Sequence, residues 1–389
     1  MRGQVDRQQS MFVVLNLEEK VPADHPLRAI KRWADAVLGS MRNDFEAAYS
    51  HTGRPGVPPE QMLKALLLQA LYSIPSEIKL MEAIDYNLLY RWFLDLAADA
   101  PVWTPEAFSM NRQRFIDHDL VRMFFEKVVD QALKRGLISK DHFTVDGTLI
   151  RSLASHKSLT PIDGRSRAAR TRRKANNRDG DGDGDGGTRD RDTLVDWKGE
   201  KLSNDTHHST TDPDALLARK GRGRPAELCH SGHVLMENRN GLCVDMAVDY
   251  ADGHAERDSA RRMLKRVRRR HRIKPKTTGM DSGYDDGEFL HELEAKLKIT
   301  PHVPTRRGAI KATDAAGQAR RRARRRSKTK GYAISQRIRK RIEQVIGWCK
   351  TTGNWARTRF LGHDRIENEG LIIGAAYNLL RMTRLLPAA

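Results

Sequence analysis

Cysteine is scarce in this chain. Only Cys229, Cys243 and Cys349 occur in 389 residues, with neither the patterned pairs of a disulfide framework nor the spacing of a zinc site. A disulfide-stapled secreted scaffold is thereby excluded, and a reducing cytoplasm fits. Long apolar runs are missing as well. The longest, Ala65 to Tyr72, is broken by Gln69 and falls far short of the ~20 residues that span a bilayer, so no membrane partner is expected. The opening residues, MRGQVDRQQS, lack the apolar centre of a signal peptide, so nothing there directs export. Negative charge is in deficit: 50 acidic residues stand against 70 Lys and Arg, leaving a net +20. A field of that sign gathers polyanions, which puts nucleic acid first among possible partners.

What is present changes character along the chain. Up to about residue 141 the pattern is helical. Leu27, Ile30, Trp33 and Val37 recur at helical spacing, and Pro58-Pro59 opens a helix whose apolar face is Met62, Leu63, Leu66, Leu67 and Ala70. A third apolar stretch runs from Ile78 to Leu96. Thr104-Pro105 reads as a cap followed by proline at the first helical position, and Gly136 ends a helix begun near Leu120. From His142 the signal becomes β-rich. HFTVDGTLI (142–150) is one strand, and His233 to Tyr250 is a hairpin turning at Asn240-Gly241, where both residues tolerate positive φ. A helix with Ala260, Met263, Leu264 and Val267 inward, a strand near Lys276 to Met280, a helix through Leu290 and a strand from Ile299 to Val303 complete an α/β layered domain. Two segments interrupt it. Residues about 160–220 are polar and glycine-rich, which predicts a mobile insertion. Residues about 306–330 contain RRRARRRSKTK (320–330), which reads as a polyanion-binding arm carrying Arg320, Arg321, Arg322, Arg324, Arg325 and Arg326.

Three acids stand out. Asp146 lies inside a β-rich run, where an uncompensated carboxylate is unfavourable; it reads either as a metal ligand or as a turn residue before Gly147. Asp281 follows a strand and reads as a metal ligand or a helix cap, although Asp285 or Asp286 suits the cap better. Glu343 lies in an amphipathic helix predicted from near Ala333, with Ile334, Ile338, Ile342, Val345 and Cys349 as its buried stripe. Gln336, Arg339, Glu343 and Lys350 would share another face, so Glu343 is either a ligand or a member of a solvated salt-bridge face. Weaker features carry less. Asp181, Asp183, Asp185 and Gly186 approach a calcium-loop pattern but read better as an Asp-Gly linker; His207-His208 and His291-Glu292 lack zinc-spaced partners; Trp348 reads as packing.

Taken together, the order and context of the three acids resemble the DDE transposases of insertion-sequence families four and five. Val145-Asp-Gly-Thr148 is similar to their first acidic motif, Asp281-Ser-Gly-Tyr-Asp285 to the second, and Arg339, Glu343 and Lys350 to the third, in which Gln336 stands where the family has tyrosine. Thr52-Gly-Arg-Pro55, Pro59-Glu-Gln-Met-Leu63, Tyr90-Arg-Trp-Phe-Leu94 and Ser209-Thr-Thr-Asp-Pro-Asp214 resemble further parts of these proteins. The resemblance implies an RNase H-like mixed-sheet catalytic core over 142–389 and an all-helical N-terminal domain over 1–141. It implies Asp146, Asp281 and Glu343 holding Mg²⁺, with Mn²⁺ as substitute, to cleave the element's ends and join them to target DNA. Arg339, Lys350 and the basic arm would grip phosphates. Double-stranded DNA, both terminal inverted repeats and target, is the expected partner, with a homodimer acting in the cytoplasm at the bacterial nucleoid. The helical N-terminal region is the expected reader of the terminal repeats. A metal-dependent nuclease without strand transfer, or a DNA-binding descendant without activity, are the alternatives.

Overall fold

A computed structural model describes residues 14–50, 52, 56–162, 202–221, 223–306, 308, 310 and 314–386. It opens with eight helices: α1 (Leu17–Lys20), α2 (Pro26–Gly39), α3 (Arg42–Ala48), α4 (Pro59–Leu71), α5 (Glu77–Tyr86), α6 (Leu88–Phe93), α7 (Pro105–Asp117) and α8 (Leu120–Lys134). Their starts follow from local chemistry. The Thr104 side chain accepts from the Ala107 N–H with Pro105 just inside the helix, and Ser76 does the same for Lys79. Asn87 splits the Ile78–Leu96 stretch in two because its side chain caps α6. The apolar positions of α2 and α4 are buried, as their spacing requires.

The sheet begins at β1 (His142–Arg151). After the short β2 (Leu159–Pro161), β3 (His207–Ser209) and β4 (Leu216–Ala218) come β5 (Glu227–Glu237), β6 (Leu242–Tyr250), β7 (Thr277–Gly279) and β8 (Thr300–His302). The main sheet runs β6–β5–β1–β7–β8. The β6/β5 and β5/β1 pairs are antiparallel and the β1/β7 and β7/β8 pairs parallel, while β4 adds to the start of β5. Three antiparallel strands followed by two parallel ones make an RNase H-like core. The hairpin turns through a four-residue loop, 238–241, between Glu237 and Leu242; within it Gly241 takes positive φ (70°) and Asn240 does not, so the turn is longer than a two-residue Asn-Gly turn. Helix α9 (Ala255–His271) links β6 to β7, and α10 (Gly287–Glu292) leads through a wide turn, Leu293–Leu297, to β8. Then follow α11 (Ala315–Arg326), α12 (Lys330–Arg339), α13 (Ile342–Thr351) and α14 (His363–Leu385).

α14 packs on β6 and also on α2, α4 and α8, so one apolar core is shared by the first helices, the sheet and the last helix. Among the described residues no helix is long and apolar enough to cross a membrane.

Three expectations are revised. The polar insertion predicted over 160–220 is ordered from Leu202 to Gly221: His207 and Ser209 are buried in the β2/β3 pair, and Asp212 is buried between Ser152 and His230. Polar composition concealed this because polar side chains make those contacts. The helix predicted from Ala333 through Cys349 is two helices, broken at Lys340–Arg341 by i→i+3 hydrogen bonds, so Ile334 lies exposed while Ile342, Val345 and Cys349 are buried. The basic block is no free arm. It forms α11, seated by Gly317, Ala319 and Ala323, and its arginines are largely engaged within the chain. Arg320 pairs with Asp285, Arg322 and Arg326 with Glu294, and Arg321 and Arg324 donate to backbone carbonyls. Arg325, which is exposed, is the one of this set whose side chain has no hydrogen bond or ion pair among the described residues. The Asp-Gly run at 181–186 and residues 53–55 lie outside the described residues.

Candidate active site

Strand register brings the first two acids level. β1 and β7 run parallel with Thr144 opposite Gly279. Two residues further along each chain, hence on the same face, stand Asp146 and Asp281, the latter still extended (φ −83°, ψ −174°) just past the end of β7. Gln336 steadies this end of the sheet: its amide donates to the carbonyls of His302 (2.8 Å) and Met280 (3.3 Å), the residue before Asp281.

Each carboxylate has a different neighbourhood. Asp146 Oδ1 accepts from the Gly147 N–H at 2.9 Å, and Oδ2 lies 3.4 Å from the Arg339 guanidinium of α12. Burial pushes its carboxyl up to about 6; Arg339 and the Gly147 bond oppose the rise, and the charges of Asp281 and Glu343 add to it. Asp281 Oδ1 accepts from the Gly283 N–H at 2.8 Å, capping a short turn (Ser282–Tyr284). Asp286 caps α10, and Asp285 is buried against Arg320 and the Arg306 N–H. Asp281 therefore does cap, though with a carboxylate that also faces Asp146. Glu343, at the start of α13, is exposed, and its carboxylate has no hydrogen bond among the described residues. Lys350 on the same helix reaches back to the Leu149 carbonyl of β1 at 2.9 Å. Trp348 packs on Tyr377, its rings 5.5 Å apart.

A fourth acid escaped the sequence reading. Glu256, in the first turn of α9, hangs over the same place: a methyl added to Gly147 would lie 3.4 Å from its Oε1, and one added to Gly283 would lie 3.1 Å from its Oε2 and 3.0 Å from Asp281 Oδ1. Burial, then the charges of Asp281 and Asp146, push its carboxyl up to about 7. In the sequence it reads as an ordinary acidic residue near a helix N-terminus, so no local signal marks it. Tyr284 is fully buried beneath the acids, and its hydroxyl has no partner among the described residues.

Among the described residues no group of three or more His, Cys, Asp or Glu is drawn tightly enough to grip a metal ion as it stands. The donors nevertheless suit a hard divalent cation. All are carboxylate oxygens, the neighbouring acids raise the proton affinity of Asp146 and Glu256, and glycine at 283 leaves a cradle between Asp281 and Glu256 that a side chain would fill. From this site an open groove of about 910 Å³ extends past Gly147 and Thr148, lined among others by Arg151, Lys220, Arg224 and Lys350.

Comparison with protein families gives two matches. Residues 15–114 match the family described as Transposase domain (DUF772), and residues 191–379 match the family described as Transposase DDE domain. No curated protein and no solved structure matches the chain.

Proposed function

The chain belongs to the insertion-sequence transposases of the DDE class, nucleic-acid-processing enzymes whose substrate is DNA, and from that premise we propose that Asp146, Asp281 and Glu343 are the acids of its DNA-cleaving and strand-joining site. The observation that carries the reading is the parallel β1/β7 register, which sets Asp146 and Asp281 level at the ends of adjacent strands. DDE transposases in general use divalent metal ions. Here the three carboxylates would hold Mg²⁺, or Mn²⁺ in its place, and the bound metal would supply Lewis-acid charge at the scissile phosphate. The chain's own residues do the rest. Arg339, beside Asp146, meets the phosphate that enters the acid site and balances its charge. The groove running toward Arg151, Lys220 and Lys350 carries the DNA backbone away without reading its sequence. A water in line with the phosphorus breaks the P–O3′ bond at the element's end and leaves its 3′-hydroxyl; that hydroxyl then takes the water's position, bonds to a target phosphorus and releases the target strand's 3′-oxygen. Arg325, left free on α11, adds a phosphate contact, whereas Arg320, Arg322 and Arg326 act chiefly within the fold. Because both ends of an element are cut together, the active form is a homodimer on terminal inverted repeats, with the helices before His142 nearest to the task of reading them.

The test uses purified full chain and a DNA carrying the element's ends. Asp146→Asn, Asp281→Asn and Glu343→Gln should each abolish cleavage and joining while gel-shift affinity stays within about twofold of wild type. Full cleavage by any one of them removes that residue from the site, and cleavage without joined products in the wild type reduces the enzyme to a nuclease.

A further inference from the structure

Glu256 differs from the fully buried acids of the described residues. Six acids are buried among the described residues: Asp212, Glu237, Asp245, Asp249, Asp285 and Glu369. Each is satisfied. Asp212 receives His230 and Ser152; Glu237 receives Ser139 and Asn240; Asp245 and Asp249 receive Arg266 and Arg262; Asp285 receives Arg320; Glu369 receives Arg359 and Thr358. Glu256 is half-buried and has no hydrogen bond or ion pair among the described residues. Its neighbour in sequence, Arg257, turns away to Asp286 at 2.7 Å. A partly desolvated carboxylate without a donor carries a cost that an arriving positive charge relieves.

The geometry around it is that of a ligand position. Its two oxygens reach both strands' acids: Oε2 and Asp281 Oδ1 converge on one point above Gly283, at 3.1 and 3.0 Å from it, and Oε1 lies above Gly147, the residue after Asp146. A second group points to the same place independently. His233 is wholly buried, both its ring nitrogens lack partners among the described residues, and Nδ1 lies 3.2 Å from the point above Gly147 that Glu256 Oε1 approaches at 3.4 Å. A wholly buried imidazole with both nitrogens unpaired marks a polar space that the chain alone does not fill.

We propose that Glu256 is a fourth carboxylate ligand of the divalent cation held at Asp146 and Asp281, entering from the helix side of the sheet opposite to α13. The inference rests on the reading of Asp146 and Asp281 as metal-holding residues. It assigns to α9 a role in the site beyond linking β6 to β7, because any shift of its first turn moves a ligand.

Mn²⁺ binding to the full-length protein, measured without DNA by electron paramagnetic resonance of the free ion, tests it without recourse to activity. Glu256→Gln keeps the shape and removes the charge; it should weaken Mn²⁺ at least about tenfold, the scale on which even outer-shell partners matter. Asp146→Asn should do the same, and Glu288→Gln, an exposed acid on α10, should bind as wild type. Thermal melts without metal check folding, and Glu256→Gln should melt no lower than wild type, since an unpaired acid has been removed. If Asp146→Asn loses Mn²⁺ and Glu256→Gln keeps it, the role of Glu256 is overturned and the acid site stands. Wild-type binding in both variants overturns the acid site and this inference with it. If Glu256→Gln melts well below wild type, Glu256→Ala with the same loss of stability at unchanged Mn²⁺ affinity makes the residue a support of the fold, which also overturns the proposal.

Discussion

His233 illustrates how a single side chain ties stability to conditions. It sits opposite Gly147 in the β1/β5 pair, wholly buried and without a hydrogen-bond partner among the described residues. Burial holds its imidazole down at about 4 against the ordinary 6.5, despite the opposing pull of Asp249. The native state thus refuses a proton that the unfolded chain accepts. The stabilisation is fully present above pH 6.5 and is lost as the pH falls toward 4. By pH 5 this one group removes about 2 kcal/mol. Urea unfolding of wild type and His233→Leu at pH 7 and pH 5 checks it: the variant's loss on acidification should be smaller by that amount. An equal acid loss in both proteins would place the sensitivity elsewhere. Gln336 makes a different point at the same scale. Standing where the resemblance expects a tyrosine, it uses both protons of its amide to hold the carbonyls of Met280 and His302, and so steadies the strand end from which Asp281 projects.

Among the elements, β1, the β5–β6 hairpin and α2 were legible because each obeys its own period or turn rule within a few residues. The β-rich run of 142–150, Asn240-Gly241 and the Leu27–Ile30–Val37 spacing needed no distant partner. What escaped depends on partners far away in the chain. The break at Lys340–Arg341 has no glycine or proline to announce it, yet it separates Arg339 from Glu343 and lets α12 lie over β7 and β8 while α13 packs on β1 and β5. Asp146 and Asp281 were found by context, but only the parallel register set them level, and Glu256 gave no local sign at all. The seating of the basic helix α11 within the fold was hidden for the same reason, since its acidic partners Asp285 and Glu294 lie upstream. Its arginines consequently divide in their effects. Arg320→Ala leaves the buried Asp285 short of its guanidinium and should cost about 2 kcal/mol in denaturant unfolding. Arg325→Ala should leave stability within about 0.5 kcal/mol. It should instead lower the slope of log affinity against log salt on DNA by roughly one. Opposite assignments, with Arg325 costing stability and Arg320 only affinity, would contradict the pairing seen here.

For the whole molecule the decisive fact is that α14 lies on α2, α4 and α8 as well as on β6, within one continuous apolar core. The N-terminal helices share their interior with the sheet, so they and it should unfold together. Tryptophan fluorescence, which includes Trp33 and Trp92 among the N-terminal helices, and circular dichroism should trace coincident urea transitions. Separated midpoints would show that the first 141 residues hold together by themselves. A fragment ending there would expose the apolar faces that α14 covers, so tests of terminal-repeat recognition belong on the full chain.

That clasp also sets the moment at which the fold is born. On the ribosome the first eight helices emerge long before residues 363–385 are made, and their inner faces stay uncovered until synthesis has passed Leu385. A message cut short ahead of that point yields a polypeptide with an open interior, food for proteases rather than an agent of rearrangement.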